Sequence, residues 1–160
     1  MVVKMKRYYG DEAVTKSVVE VWMQGEEKPR MVCEAREPRW RDYAETFKGV
    51  KAFCLPRGRW RLAVQGTRYG AMTLVVPRCV GHVHVEFGFG GGRRMLMETV
   101  TVGMPRMAEG CEPGSAKEMR TRRIADGEET FRRLEKLTYE AFGRQEEMWM
   151  EVENSCCNAI

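Results

Sequence analysis

Period-two alternation over residues 50–94 constrains this chain more than any other feature. The stretch reads VKAFCLPRGRWRLAVQGTRYGAMTLVVPRCVGHVHVEFGFGGGRR, with apolar, β-branched and aromatic runs punctuated by Gly and Pro. Trp60, Leu62 and Val64 fall on one side with Arg59, Arg61 and Gln65 on the other, and Val83, Val85, Phe87 and Phe89 oppose His82, His84 and Glu86. Successive side chains of a strand point to opposite faces, so these runs predict a sheet with one apolar and one polar face. That is the pattern of an antiparallel sheet covered on one side. Strands are expected near residues 50–55, 59–65, 72–77, 82–89 and 95–102.

The flanking segments fit the same plan. Residues 2–9 read as a short edge strand guarded by Lys4, Lys6 and Arg7. GEEKP separates two alternating runs, 17–24 and 30–36, as a hairpin loop would. Trp40, Tyr43, Ala44 and Phe47 recur at i, i+3, i+4 and i+7, predicting a short helix over 39–48. After the Pro- and Gly-bearing stretch 104–114, Ser115 and Glu118 have capping-box spacing, and Asp126-Gly127-Glu128-Glu129 repeats a helix-start signal. Phe131, Leu134, Ala141, Met148 and Val152 then continue at helical spacing, widened by Leu137, Phe142 and Trp149, with Gln145 inside the stripe. The expected architecture is α+β: a twisted, mainly antiparallel sheet of about five to seven strands, packed on one face by a long C-terminal helix, plus the short helix near 39–48. It forms one globular domain over 1–154, sheet-rich to 104, a loop over 105–114, helical over 115–153, with 155–160 a frayed tail.

Composition enters as an exclusion. Hydrophobic residues at 43% and charged residues at 31% are those of a globular chain, and no apolar run has the length of a membrane span. The N-terminus lacks the apolar core of a secretory signal, so a cytoplasmic location and no membrane partner are expected. The six cysteines show no paired C-x-x-C spacing and read as reduced thiols. Charge is split along the chain: 23 Lys and Arg against 14 Asp and Glu over residues 1–125, and 4 against 9 over 126–160. Arginine outnumbers lysine 19 to 8, which favours bidentate and stacked contacts with anions.

Between Glu45 and Glu86 no acidic residue occurs. Arg57, Arg59, Arg61 and Arg68 lie in that interval, and Arg93 and Arg94 follow at the end of the glycine-rich run. These six are the candidate anion-binding residues, and Tyr69 adds an aromatic ring beside them, while alternation sends Trp60 inward. Gly88-Phe89-Gly90-Gly91-Gly92 leads towards another strand rather than a helix, which makes it a hairpin turn and not a phosphate loop.

Cys79-x-x-His82-x-His84-x-Glu86 is the sharpest chemical pattern. Alternation puts His82, His84 and Glu86 on one strand face, a donor set suited to zinc or another divalent metal. His-hydrophobe-His followed by a distant helical tyrosine resembles the motif of single-strand endonucleases of the rolling-circle replication and small-transposase kind. That resemblance implies a divalent metal held by His82 and His84, and Tyr139 as the nucleophile on a DNA phosphate. No G-x-S-x-G motif supports a serine hydrolase. The leading expectation is a non-catalytic binding module whose basic sheet face contacts an anionic partner, nucleic acid before acidic protein. The alternatives are a metal-dependent enzyme built on His82 and His84, and a small-ligand or protein-interaction domain.

Overall fold

The computed structural model describes residues 1–12, 14–38, 55, 57–66, 72–76, 85–88 and 99–154. Among these, ten strands and two helices form. The strands are β1 (Val2–Gly10), β2 (Val14–Trp22), β3 (Met31–Pro38), β4 (Gly58–Arg61), β5 (Ala63–Gly66), β6 (Met72–Val76), β7 (Val85–Gly88), β8 (Thr99–Arg106), β9 (Arg123–Ala125) and β10 (Trp149–Asn154). The helices are α1 (Ala116–Thr121) and α2 (Gly127–Gly143). The expected helix over 39–48 and the strand over 50–55 lie outside the described residues, Leu55 apart.

The architecture is α+β, as the sequence pattern predicts. Pairing runs in the order β4-β10-β1-β2-β3-β8-β7-β6-β5, with β9 added to β8 as a second small sheet. Most neighbours are antiparallel, while β1–β10 and β7–β8 are parallel; the parallel β7–β8 pair overturns the hairpin expected at residues 88–92, because a hairpin joins antiparallel strands. The two ends of this order are consecutive in the chain. Only Leu62 separates β4 from β5, and its N–H donates to the Met148 carbonyl at 2.9 Å. One extended segment, 58–66, therefore pairs with β10 through its first half and with β6 through its second. Counted that way, eight strands make the main mixed sheet.

Cross-strand register sets the core. Val3 faces Val21 and Met150, Met5 faces Val19 and Val152, Val19 faces Cys33, and Ala35 faces Val102. All are buried, and they join Leu74, Val76 and Phe87 in one apolar cluster. Helix α2 contributes Phe131, Leu134, Leu137 and Ala141 at i, i+3, i+6 and i+10, and rests on β8, β6 and β3. Each such large side chain contributes about 1.5–3 kcal/mol by leaving water. Its polar flank is satisfied internally: the Thr130 and Thr138 hydroxyls donate to the Asp126 and Leu134 carbonyls.

Three further expectations are corrected. Residues 2–9 are no edge: β1 lies between β2 and β10, and Arg7 points into the interior instead of guarding a margin. The C-terminal helix does not run to 153. It stops at Gly143, Gln145 takes a left-handed conformation (φ 56°) and is exposed, and Glu146 N–H reaches back to the Ala141 carbonyl at 2.9 Å. This wrap satisfies the orphan carbonyls of the last turn, and the chain then turns back as β10. Third, Ser115 does cap α1 by accepting from Glu118 N–H at 3.1 Å, but the Glu118 carboxylate is buried and turned to Arg122.

Candidate anion-binding face

Outward residues of β4, β10, β1 and β2 fall into registered rows. The first is Arg61, Trp149, Val2 and Trp22; the second is Arg59, Glu151, Lys4 and Glu20. Trp149 is half-buried, with two guanidinium groups near its ring, Arg59 at 4.6 Å and Arg61 at 5.5 Å from the centroid. Lys4 Nζ sits 4.6 Å from the Trp22 ring. Cations held over indole faces are attracted by the ring quadrupole, about 0.5–1 kcal/mol at exposed sites.

The second row alternates in charge, which changes the expected picture of a basic face. Arg59 pairs with Glu151 at 3.7 Å, Arg61 with Glu147 at 3.4 Å, and Lys6 with Glu20 at 3.8 Å. The run from Lys48 to Arg78 lacks acids of its own, but β10 and the turn before it bring carboxylates from the acidic C-terminal segment to β4. Arg59 and Arg61 remain 58% and 61% exposed, and such pairs contribute only about 0.2–1 kcal/mol each. Arg57 is exposed just before β4. Trp60, Leu62 and Val64 turn towards the core, as alternation predicts. Arg68, Arg93 and Arg94 lie outside the described residues.

The metal constellation is not assembled within the described residues. His82 and His84 fall outside them, and Glu86 is placed by its backbone alone, paired with Val75 and Thr99. Among the described residues no group of three His, Cys, Asp or Glu side chains is arranged to hold a metal. Tyr139 is 50% exposed on α2, off the apolar stripe as its spacing predicts, with Phe142 one turn on at 59%.

Two buried polar clusters escaped the sequence reading. Inside the sheet, Arg7 Nε donates to Glu37 Oε2 at 3.0 Å and Nη2 to Oε1 at 3.0 Å, both residues 1% exposed. The same pair grips one backbone position: Arg7 Nη2 donates to the Leu55 carbonyl, and Leu55 N–H donates to Glu37 Oε1 at 2.9 Å. Beside them the Thr15 and Ser17 hydroxyls are buried and, among the described residues, have no hydrogen-bond partner. Alternation did carry the signal, because Arg7 follows Val3 and Met5, and Glu37 follows Met31, Cys33 and Ala35.

On the outer side of β1, β2 and β3 a second cluster anchors α1 and β9. Arg122 donates to Glu118 Oε2 at 2.8 Å and to Glu34 Oε1 at 2.5 Å, and Glu34 also accepts from Tyr8 Oη at 3.0 Å. Lys16 Nζ caps the helix end, donating to the carbonyls of Met119, Arg120 and Arg122 at 3.0, 2.5 and 3.0 Å. Arg36 Nη2 adds a bond to the Arg122 carbonyl at 2.9 Å. The Arg122 guanidinium holds the Glu118 carboxyl below the usual carboxylate range. Burial, then the Glu34 charge, pushes the Tyr8 phenol up, while burial and Arg36 lower the Lys16 ammonium. These shifts belong to a structural lock, since the same groups tie α1 and the start of β9 to β1, β2 and β3.

No family model, curated protein or solved structure matches this chain. The functional reading rests on the side chains themselves.

Proposed function

We propose that this protein is a non-catalytic binding module that presents the outer face of β4, β10, β1 and β2 to an anionic partner, with single-stranded nucleic acid as the partner class. The observation that carries this reading is the Arg59–Trp149–Arg61 stack, two exposed guanidinium groups on one half-buried indole. Proteins that bind single strands combine cations that track phosphates with aromatic faces on which bases stack, and arginine adds cation–π contact. The carboxylates Glu151 and Glu147 are exchangeable partners: replacing either exposed pair with a phosphate contact forfeits at most about 1 kcal/mol. An acidic protein would use the arginines and leave the indole idle, which is why nucleic acid is preferred.

Fluorescence anisotropy of a labelled oligothymidylate tests this. Binding is expected to weaken steeply between about 50 and 200 mM salt, since released counterions drive it. An Arg59→Ser/Arg61→Ser variant is expected to lose affinity and to flatten the log–log salt slope by roughly 0.7 per arginine. Trp149 emission should be quenched on binding. Absence of binding at low salt, or a curve indifferent to salt, would sink the reading.

A further inference from the structure

The small β8–β9 ribbon places two arginines opposite each other. In its register Met104 faces Ala125, Pro105 faces Ile124 and Arg106 faces Arg123. Directly opposed residues of an antiparallel pair share a face with Cβ atoms about 4.5–5.5 Å apart, and like charges there repel. Both arginines are exposed, and among the described residues neither has a carboxylate partner. Glu118 and Glu34, which lie in the adjoining cluster, are already taken by Arg122. Arg120 and Lys117 on α1 are exposed as well.

The backbone that sets this juxtaposition is tightly held. Gly103 lets β9 approach β8 so closely that a Cβ there would lie 2.7 Å from the Ala125 carbonyl oxygen and 2.9 Å from Ile124 Cβ. The residue before Arg123 is fixed twice, through its guanidinium by Glu34 and Glu118 and through its carbonyl by Lys16 and Arg36. A buried polar lock thus holds the start of β9 in the one register that sets Arg123 against Arg106. The repulsion is built in, and a tetrahedral oxyanion between the two guanidinium groups would relieve it. Arginine forks match phosphate oxygens bidentately, and a rigid scaffold lowers the entropy lost on binding.

We propose that Arg106 and Arg123 form a preorganised clamp for a phosphoryl group, separate from the Trp149 face. The shared chemistry is a phosphate, whether free or on a nucleic-acid backbone. Thermal unfolding of the full chain, in inorganic pyrophosphate against chloride at matched ionic strength, tests it. The Tm of the unmodified protein is expected to rise by about 5–10 °C at a hundredfold excess over Kd. Arg106→Gln and Arg123→Gln are each expected to lose that rise, and to melt higher than the unmodified protein in chloride because the repulsion is gone. Arg59→Ser/Arg61→Ser is expected to keep the full response, so failure of the clamp and failure of the sheet-face reading give different results. An oligothymidylate arm assigns the source: competition with pyrophosphate points to backbone phosphates, and its absence to a free phosphate ligand. A pyrophosphate response shared by both glutamine variants would mean a general salt effect and overturn the clamp. So would glutamine variants that melt lower in chloride.

Discussion

Arg7 and Glu37 show at the scale of single residues how this fold tolerates charge in its interior. Removing two ions from water costs several kcal/mol each, and only close geometry with further hydrogen bonds offsets it. Both conditions hold: the pair is doubly hydrogen-bonded, and each partner also binds the backbone of Leu55. Breaking it from one side leaves the other charge stranded. Glu37→Gln is therefore expected to destabilise the protein by about 3–5 kcal/mol, read as a lower urea midpoint at unchanged m-value. A change under about 1 kcal/mol would mean that water reaches Arg7. The inward placement of Arg7 was legible in the alternation Val3, Met5, Arg7. It was missed because a cation among Lys4 and Lys6 reads as an edge guard until its strand is known to have neighbours on both sides. Cys33 was more readable: it lies on the buried face of β3, where burial pushes its thiol up to about 12.

Among the elements, the boundary between α2 and β10 separates what local pattern specifies from what it leaves open. Helix α2 was plain from its stripe, and Ser115 from its capping position. Met148 and Val152 were read as a continuation of that stripe, although together with Met150 they also stand at i, i+2 and i+4, the spacing of a strand. What decides between them is the turn at Gln145, whose left-handed backbone a glutamine does not announce. For an L-residue that conformation costs roughly 1–2 kcal/mol, against the smaller entropy penalty of glycine. Gln145→Gly is accordingly expected to stabilise the protein by about 0.5–1 kcal/mol, since glycine is the usual residue at this position of a helix end. Thermal unfolding should show Tm rising by about 1–4 °C. A fall would indicate that the Gln145 side chain makes a contact worth more than its backbone strain. The candidate face was legible in the same partial way. Sequence put Arg59 and Arg61 outward and Trp60 inward, but the carboxylates opposite them arrive on β10, some ninety residues away and hidden in a segment that read as helix.

For the whole molecule, the consequential fact is that the strand order begins and ends on residues 58–66. Strand β10 is the seam: its Trp149–Asn154 run pairs with β1 in parallel on one side and with β4 antiparallel on the other. The chain's first and last described strands are thus neighbours, so closure must wait for nearly the whole length to be present. Pairing across so large a sequence separation carries a loop-closure cost before any contact offsets it, which places the seam late in folding and low in local stability. Met150 is the residue on which the seam depends, fully buried between Val3 and Trp60. Met150→Ala removes its packing without altering charge or hydrogen bonding, at a cost of about 2–5 kcal/mol. If the seam is a distinct cooperative unit, native-state hydrogen exchange of the variant should show protection falling unevenly. Amides of β4 and β10 should exchange at least about tenfold faster than those of the β2–β3 hairpin, whose two strands pair along their length and need no distant partner. Equal loss across both regions would instead show that closure and hairpin form one unit, and that the sheet opens only as a whole.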